Sequence, residues 1–300
     1  SFKSLILAPF TIPVLINNFF LATFVKAKPK KIFAICVGNI YVGGTGKTPL
    51  TVKLYQIIKK ISNKVVTAKK FHENHTDEIK LLKKKSNLIT SSNRLKILNI
   101  ALNKKIKVII FDDGLQDRSI NYNLKIVCFD GESWTGNGQL LPAGPLREKL
   151  NSLKKYDCVV IKNLPSKNKN LINKIKMINK NIKIFTSKYE IKNINKFNLK
   201  INYIIFSGIG NSGDFKDILK NNNFKIISNF SFPDHHKYSI EEIKKIIKHA
   251  KIKDAKILTT EKDFMKIPKT FHNRIQDIKI DIKINKFEEF KRFIKKNIDE

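Results

Sequence analysis

A glycine-rich stretch, Gly43-Gly44-Thr45-Gly46-Lys47-Thr48, follows the apolar run Ile32–Val37 and constrains the fold more than any other feature. This order, with the helical pattern that comes next, indicates a buried strand, a tight loop and a helix. Backbone N–H groups in such a loop can surround phosphate oxygens, and the helix points its positive end at the same anion. The pattern therefore predicts a phosphate-binding loop in a parallel α/β sheet.

The side chains that end this loop have distinct expected roles. Lys47 is expected to reach the outer phosphates, and the Thr48 hydroxyl is expected to ligate Mg²⁺. The strict pattern has a glycine five residues before Gly46, where this chain has Tyr41, so the loop is a variant. The alternative is a glycine-rich turn that precedes Lys-Thr without binding phosphate. The residues predicted to bind the nucleotide by loop contacts are Tyr41, Val42, Gly43, Gly44, Thr45, Gly46, Lys47 and Thr48.

A second apolar run, Lys107–Phe111, ends in Asp112-Asp113-Gly114. A carboxylate at the carboxyl end of a strand beside a phosphate loop can hold Mg²⁺ or its waters. An Asp-Gly turn after a strand is the alternative interpretation. Because this run and the glycine loop are expected in one sheet, we predict that Asp112 and Asp113 contribute to a metal site with Thr48.

The stretch Gly136–Glu148 is rich in glycine and proline and is too long and too stiff for a simple linker. Arg147 is a candidate for clamping a phosphate of the nucleotide, and Glu148 for ordering Mg²⁺ or Arg147 itself. A rigid surface connection remains the alternative.

Two further motifs lie in the C-terminal half. Asp234-His235-His236 offers a carboxylate–imidazole pair for proton abstraction, while a zinc site would need more ligands than the sequence supplies. A solvated turn is the alternative for either histidine. Lys262 could meet a substrate or nucleotide phosphate, or could simply lie in the first turn of a helix capped by threonine.

Strand patterns alternate with helical patterns along most of the chain, and the strands are continuously apolar. This alternation predicts an α/β fold: a P-loop NTPase-like parallel sheet with helices on both faces. Residues 31–165 are expected to form this core, and residues 166–300 a smaller C-terminal α/β subdomain. Residues 1–30 are expected to form an apolar, membrane-associating segment.

The N-terminal segment Leu5–Val25 is almost uncharged, and four lysines follow within Lys26–Lys31. It is about long enough to span a bilayer, but Pro9 and Pro13 interrupt its first half. A helix from about Val14–Lys26 that lies in the membrane interface, with lysines on anionic head groups, fits this pattern better. A spanning helix and a buried structural helix remain alternatives.

The composition is strongly basic, with 59 Lys+Arg against 25 Asp+Glu and a formal charge of +34. Such an excess favours an anionic partner, although a bias toward Lys, Asn and Ile explains part of it. Few aromatic residues lie among the scattered lysines, so no nucleic-acid surface is specifically indicated. Cys36, Cys128 and Cys158 lie in apolar runs without metal-binding spacing, which predicts reduced core thiols and a cytosolic body.

Together these motifs resemble the tetraacyldisaccharide 4'-kinase family of lipid A biosynthesis. Their order along the chain agrees with the family from end to end, and the stretch Gly136–Glu148 is very specific to it. The other matching segments are Val37-Gly38-Asn39 leading into Gly43–Pro49, Asp112–Gln116, Ser207–Asn211, Phe232–His236 and Thr260–Asp263.

The resemblance implies transfer of the ATP γ-phosphate to the 4'-hydroxyl of tetraacyldisaccharide 1-phosphate, an acylated glucosamine disaccharide phosphate. It further implies the cofactors ATP and Mg²⁺ and a catalytic body on the cytoplasmic face of a bacterial inner membrane. By the same resemblance, Asp77 is the expected catalytic base, oriented by His235. No obligate protein partner is evident from the sequence. A partner-regulated NTPase with a similar loop and a nucleic-acid-binding protein are the alternative functions.

The chain departs from the family pattern at several positions. The usual Ser-Arg-Gly-Tyr segment is here Thr67–Phe71, with Lys69 in place of the arginine. A lysine supplies a point charge but not the planar fork of arginine. Thr76 stands where a glycine usually precedes the base, and Asp117 stands where a histidine usually follows Asp112–Gln116.

Overall fold

The computed structural model describes residues 7–14, 31–73, 76–117, 119–165, 170–209, 212–234 and 236–299. The chain divides into two compact units. Unit 1 comprises Ser1–Phe71, Lys85–Lys188 and Ile282–Glu300, and unit 2 comprises His72–Lys84 and Tyr189–Asp281.

The described residues contain strands and helices that alternate along the sequence. The strands are β1 (Phe33–Gly38), β2 (Val65–Lys70), β3 (Leu88–Ser91), β4 (Val108–Asp112), β5 (Leu124–Asp130), β6 (Cys158–Lys162), β7 (Lys183–Ile191), β8 (Asn202–Ser207), β9 (Lys225–Ser231), β10 (Ala255–Thr260), β11 (Ile275–Ile278) and β12 (Ile280–Ile284). The α-helices are α1 (Lys47–Lys59), α2 (Thr76–Lys85), α3 (Arg94–Asn103), α4 (Asn170–Ile178), α5 (Ser212–Asn221), α6 (Ile240–Ile252), α7 (Glu261–Phe264) and α8 (Phe287–Asp299).

The large sheet has eight strands in the order β12-β7-β6-β5-β1-β4-β2-β3. From β3 across to β7, every neighbouring pair is parallel. Ala34 and Cys36 of β1 belong to the cluster that contains Ile97 of α3, while Ile35 between them is equally buried. Successive side chains of a strand point to opposite faces, so β1 is covered on both sides. The prediction of a parallel α/β sheet covered on both faces is confirmed.

The small sheet of unit 2 has four parallel strands in the order β11-β10-β8-β9. Tyr203 and Ile205 of β8 pack in one apolar cluster with Phe215 of α5. Ile204 and Phe206 belong to a second cluster with side chains of α6. Unit 2 therefore has its own two-sided core, as the expectation of a C-terminal α/β subdomain requires.

The division between the units lies elsewhere than the expected boundary at residue 166. Strand β7 continues the large sheet as far as Lys188, because its residues pair with those of β6. The chain then returns to unit 1 at its C-terminal end, where Phe290 of α8 packs edge-on against Phe185 with ring centroids 5.0 Å apart. Helix α2, with Asp77, belongs to unit 2 although it precedes most of unit 1 in sequence.

Only part of the expected N-terminal membrane segment falls within the described residues. Ala8–Thr11 form a 3-10 helix, and the predicted helix beyond Val14 lies outside the described residues. Phe10 and Ile12 are 63% and 53% exposed. Across the described ranges, no helix combines the length and the apolar character that crossing a bilayer requires.

All three cysteines are buried and unpaired. This agrees with the prediction of reduced thiols in the core.

Candidate active site

The glycine loop of unit 1 connects β1 to the first turn of α1. Gly46 has φ 83° and stands directly before the helix, where no side chain caps its first N–H groups. Gly43 has φ 141°, which side chains with a Cβ rarely tolerate. The loop thus places the positive end of a 13-residue helix at the carboxyl end of a buried strand. This is the geometry expected of a phosphate-binding loop.

Asp112, the last residue of β4, accepts hydrogen bonds from three buried side chains. Thr48 Oγ1 donates to its Oδ2 over 3.0 Å, and Thr51 Oγ1 donates to Oδ1 over 3.3 Å. Lys69 Nζ, from the end of β2, lies 2.7 Å from the same Oδ2. The structure therefore brings together the predicted residues Thr48 and Asp112. It also shows that Lys69, at the position where the family has arginine, neutralises the Asp112 carboxylate.

Asp113 lies between two cationic side chains of the same unit. Lys47 Nζ is 3.9 Å from Asp113 Oδ2, and Arg147 Nη1 is 3.4 Å from Oδ1. The backbone of Asp113 has φ 60°, an uncommon conformation for a residue with a Cβ. Arg94 Nη2 donates to the Asp113 carbonyl oxygen and supports this conformation.

Asp117 holds Arg94 in that position. Arg94 Nη1 lies 2.7 Å from Asp117 Oδ2, and Ser119 donates to Oδ1 through both Oγ and the backbone N–H. Burial alone would raise the pKa of Asp117, but the hydrogen bonds from Ser119 and Arg94 outweigh it and lower the pKa. The aspartate that replaces the family's histidine thus has a structural role in supporting the Asp113 backbone.

The stretch Gly136–Glu148 lies beside the phosphate loop. Arg147 and Glu148 both donate their backbone N–H to the carbonyl oxygen of Ile40, over 2.7 and 3.3 Å, and Val42 donates to Pro145 over 2.9 Å. These bonds hold the Arg147 backbone next to the loop, and its clamping of a nucleotide phosphate stays a prediction.

Glu148 is buried and accepts hydrogen bonds from two neighbours. Gln116 Nε2 donates to its Oε1 over 2.9 Å, and Tyr156 Oη lies 2.9 and 3.0 Å from its two oxygens. Burial and the adjacent Glu148 carboxylate raise the pKa of Tyr156, so the phenol keeps its proton and donates. Tyr156 is therefore a partner of Glu148 that the sequence motifs did not predict.

The donors around Asp112 suit Mg²⁺, a hard cation that prefers oxygen ligands. Thr48 supplies a hydroxyl, and Asp112 and Asp113 supply carboxylates. Among the described residues there is no group of three or more His, Cys, Asp or Glu side chains that could hold a metal. A nucleotide-associated Mg²⁺ does not need one, because phosphate oxygens and water complete its coordination.

Unit 2 contains a separate cluster of charged residues around Asp77, in the first turn of α2. Asp77 is buried, and its Oδ2 lies 3.4 Å from both Lys262 Nζ and Lys266 Nζ. Lys262 also lies 3.1 Å from Asp234 Oδ1 and 3.6 Å from Glu78 Oε1. One lysine thus links the Asp77 helix to the Pro-Asp-His turn.

Lys262 lies in the first turn of α7 and is surrounded by carboxylates. Thr260 Oγ1 accepts a hydrogen bond from the Asp263 N–H over 3.1 Å, so the threonine cap is present. Burial favours the neutral amine, but the carboxylates of Glu78, Asp77 and Asp234 outweigh it and raise the pKa of Lys262. Lys262 therefore carries its positive charge among carboxylates.

His235, the expected partner of Asp77, lies outside the described residues. The next residue, His236, faces Glu242, with Nε2 3.0 Å from Oε2. It stacks on Phe232 with ring centroids 4.7 Å apart. His236 is thus engaged by Phe232 of its own segment and by Glu242 in the first turn of α6.

The comparisons with known proteins agree on one family. The family model described as "Tetraacyldisaccharide-1-P 4'-kinase" matches residues 7–299. The tetraacyldisaccharide 4'-kinase of Pelagibacter ubique (strain HTCC1062) is 44% identical over 289 residues, which cover 95% of this chain and 90% of the relative. The enzyme of the same name from Rickettsia akari (strain Hartford) is 34% identical, over 86% of this chain and 82% of the relative.

A solved structure shows the same fold. The crystal structure of LpxK from Aquifex aeolicus in complex with ATP superposes with a TM-score of 0.72. It is 24% identical and covers 99% of this chain and 100% of its own. With the loop, the paired aspartates and the Gly136–Glu148 stretch in place, these matches show that the chain belongs to the tetraacyldisaccharide 4'-kinase family.

Proposed function

We propose that this chain is an ATP-dependent lipid kinase of lipid A biosynthesis. It transfers the γ-phosphate of ATP to the 4'-hydroxyl of tetraacyldisaccharide 1-phosphate, and the product is the bis-phosphorylated precursor, lipid IVA. The observation that carries the proposal is the contact between Thr48 Oγ1 and Asp112 Oδ2, 3.0 Å long, at the start of α1. It joins the phosphate loop to the carboxylate that a nucleotide-bound Mg²⁺ requires.

Phosphoryl transfer depends mainly on positioning and on neutralising charge. The loop backbone from Tyr41 to Gly46 holds the phosphates, and Lys47 contacts the outer ones. Arg147, held by its backbone bond to Ile40, supplies a further positive charge. These groups counter the negative charge that spreads over the transferred phosphoryl oxygens.

Mg²⁺ neutralises phosphate charge when it is bound with ATP. Thr48 and Asp113 would hold it through their side-chain oxygens. Both oxygens of Asp112 already accept hydrogen bonds, Oδ2 from Thr48 and Lys69 and Oδ1 from Thr51, so Asp112 would act through a water of the metal ion. Glu148, bonded by Gln116 and Tyr156, orients water or Arg147.

Asp77 accepts the proton of the attacking sugar hydroxyl, and His235 orients it. This assignment is supported by the position of Asp77 in the family motif. It is further supported by the lysines that hold its carboxylate, because Lys262 and Lys266 fix one oxygen at 3.4 Å. The other oxygen, Oδ1, accepts the Glu78 N–H over 2.8 Å.

The enzyme works at the cytoplasmic face of the inner membrane, where its acylated substrate resides. Exposed Phe10 and Ile12 enter the lipid interface, and the basic surface is attracted to anionic head groups.

A phosphoryl-transfer assay tests the function directly. Purified protein receives Mg-ATP and tetraacyldisaccharide 1-phosphate in detergent, and mass spectrometry follows the addition of one phosphate to the lipid. Lys47→Ala should lower kcat by about 10²–10³, the loss expected for a preorganised charge donor. Lys60→Ala, an exposed change at the other end of α1, should retain activity. ATP hydrolysis without lipid phosphorylation would instead favour the partner-regulated NTPase.

A further inference from the structure

A buried ion pair lies beneath the phosphate loop, outside the residues that the proposed chemistry uses. Lys162, the last residue of β6, and Asp130, the last residue of β5, are register partners on adjacent strands. Lys162 Nζ lies 2.8 Å from Asp130 Oδ2, and both side chains are almost wholly buried. A charge pair in such a position is costly to desolvate and often adds little net stability, so its presence calls for another role.

The Lys162 ammonium also reaches the phosphate loop. Its Nζ donates to the carbonyl oxygen of Gly44 over 3.2 Å, across 118 positions of sequence. In a trans peptide the C=O and the following N–H point in opposite directions. Fixing the Gly44 carbonyl therefore fixes the direction of the Thr45 N–H, which closes a turn of the loop by donating to the Gly43 carbonyl oxygen over 3.1 Å.

Asp130 ties a second part of the loop to the same pair. Its backbone N–H donates to Tyr41 Oη over 2.6 Å, and its Oδ1 accepts the N–H of Glu132 over 2.9 Å. The Tyr41 ring packs against Phe129, with centroids 5.7 Å apart. Tyr41 stands where the strict phosphate-loop pattern has glycine, so this chain uses its side chain to anchor the variant loop.

We propose that Lys162 and Asp130 are positioning residues that hold the phosphate loop in its nucleotide-binding conformation from below. They bind no nucleotide themselves and act through the Gly44 carbonyl and the Tyr41 side chain. The inference rests on the proposed role of the loop in binding ATP. It predicts that this ion pair sets nucleotide affinity independently of its effect on stability.

The test compares three variants in the kinase assay and by calorimetric titration with a non-hydrolysable ATP analogue. Lys162→Met removes the donor to Gly44 and keeps a side chain of similar length. Lys162→Met/Asp130→Asn removes the charge on both partners, so the stranded carboxylate no longer destabilises the fold. Asp157→Asn is the matched control, because Asp157 accepts the Lys125 N–H over 2.7 Å at the opposite ends of the same two strands.

Both Lys162 variants should raise the KM for ATP and the Kd for the analogue by about tenfold, as expected for losing a hydrogen bond from a charged group. The KM for the lipid should stay unchanged. The double variant should recover melting temperature over Lys162→Met without recovering nucleotide affinity. Asp157→Asn should leave the KM for ATP and the Kd for the analogue unchanged.

Two results would overturn the inference. One is a parental KM for ATP in a folded Lys162 variant, and the other is joint recovery of stability and affinity in the double variant. Lys47→Ala in the same assays distinguishes failure of the proposed role of Lys162 and Asp130 from failure of the proposal that the loop binds ATP. If Lys47→Ala also kept its parental kcat and nucleotide affinity, the loop would not be the ATP site.

Discussion

Lys69 Nζ lies 2.7 Å from Asp112 Oδ2, and the two side chains are 6% and 0% exposed. The neighbouring strands β2 and β4 of the large sheet thus carry an ion pair at their carboxyl ends, beside the phosphate loop. A lysine suffices here because the contact uses a single carboxylate oxygen. The second oxygen accepts the Thr51 hydroxyl over 3.3 Å.

Lys69→Met should lower the free energy of unfolding by about 3–5 kcal/mol, because it leaves the buried Asp112 carboxylate without its cation. Lys70→Met provides the control, since Lys70 is the next residue of β2 and is exposed. Urea denaturation of both variants measures the difference. Equal stability of the two variants would contradict the assignment of a neutralising role to Lys69.

The hydroxyls of Thr48 and Thr51 give a matched test of the metal site, because both donate to Asp112. Thr48→Val should raise the Mg²⁺ concentration for half-maximal activity by about tenfold or more, since it removes a proposed ligand. Thr51→Val should cost about 1 kcal/mol of stability and leave the Mg²⁺ titration unchanged. Similar Mg²⁺ curves for both variants would argue against Thr48 as a ligand.

The loop and its aspartates are predictable from sequence because their signals are local. Gly46 and Lys47 adjoin in the chain, and Asp112 ends an apolar run. The proposed positioning role of Lys162 is not predictable in this way. Its contacts come from distant segments, and its charge is one of 59 Lys+Arg. The available signal is a lysine at the end of the otherwise apolar strand Cys158–Lys162, where a solvated side chain is not expected.

The division into two units could not be predicted from local sequence patterns either, because each unit combines segments that are distant in the sequence. Asp77 lies early in the sequence, yet its helix belongs with residues far along the chain. Lys262 and Lys266 contact the Asp77 carboxylate from nearly 200 positions further along the chain. The local sequence around them indicates only the start of a helix. Because His235 lies outside the described residues, its expected partnership with Asp77 stays a prediction.

Asp77→Asn should lower kcat by about 10²–10⁴ with the KM for ATP unchanged, because the amide cannot accept the proton of the sugar hydroxyl. Glu78→Gln is the control, since Glu78 also contacts Lys262 but has no proposed chemical role. Single-turnover assays measure the rate of phosphoryl transfer, and nucleotide titrations measure ATP binding separately. A loss of ATP binding in Asp77→Asn would point to a structural role for the carboxylate.

Asp117 should make stability depend on pH in the acidic range. Its folded-state pKa is lowered, so its contribution is present above the unfolded value of about 3.9 and is lost as pH falls through the folded value. The difference in unfolding free energy between the parent chain and Asp117→Asn should therefore shrink between about pH 5 and pH 3. Asp299→Asn, an exposed change at the end of α8, should follow the parent curve. A difference that stays constant with pH would show that Arg94 does not need the charge.

Membrane association should depend on the apolar side chains near the N-terminal end. Phe10→Ser/Ile12→Ser should weaken sedimentation with phosphatidylglycerol-containing vesicles by at least about tenfold, because two apolar side chains no longer enter the interface. Met177→Ser/Ile252→Ser removes two side chains that are 75% and 70% exposed elsewhere. Equal losses in both double variants would show that general hydrophobicity, and not this segment, drives binding.

The return of the chain from unit 2 to the large sheet has a consequence for biosynthesis. Strand β12 and helix α8 are translated after all of unit 2, yet they complete the edge of the large sheet beside β7. Until Ile282–Asp299 leave the ribosome, that edge lacks its neighbour and Phe185 lacks the Phe290 ring. An open strand edge with an uncovered aromatic is a template for aggregation, so nascent chains stalled before residue 282 should be the most chaperone-dependent.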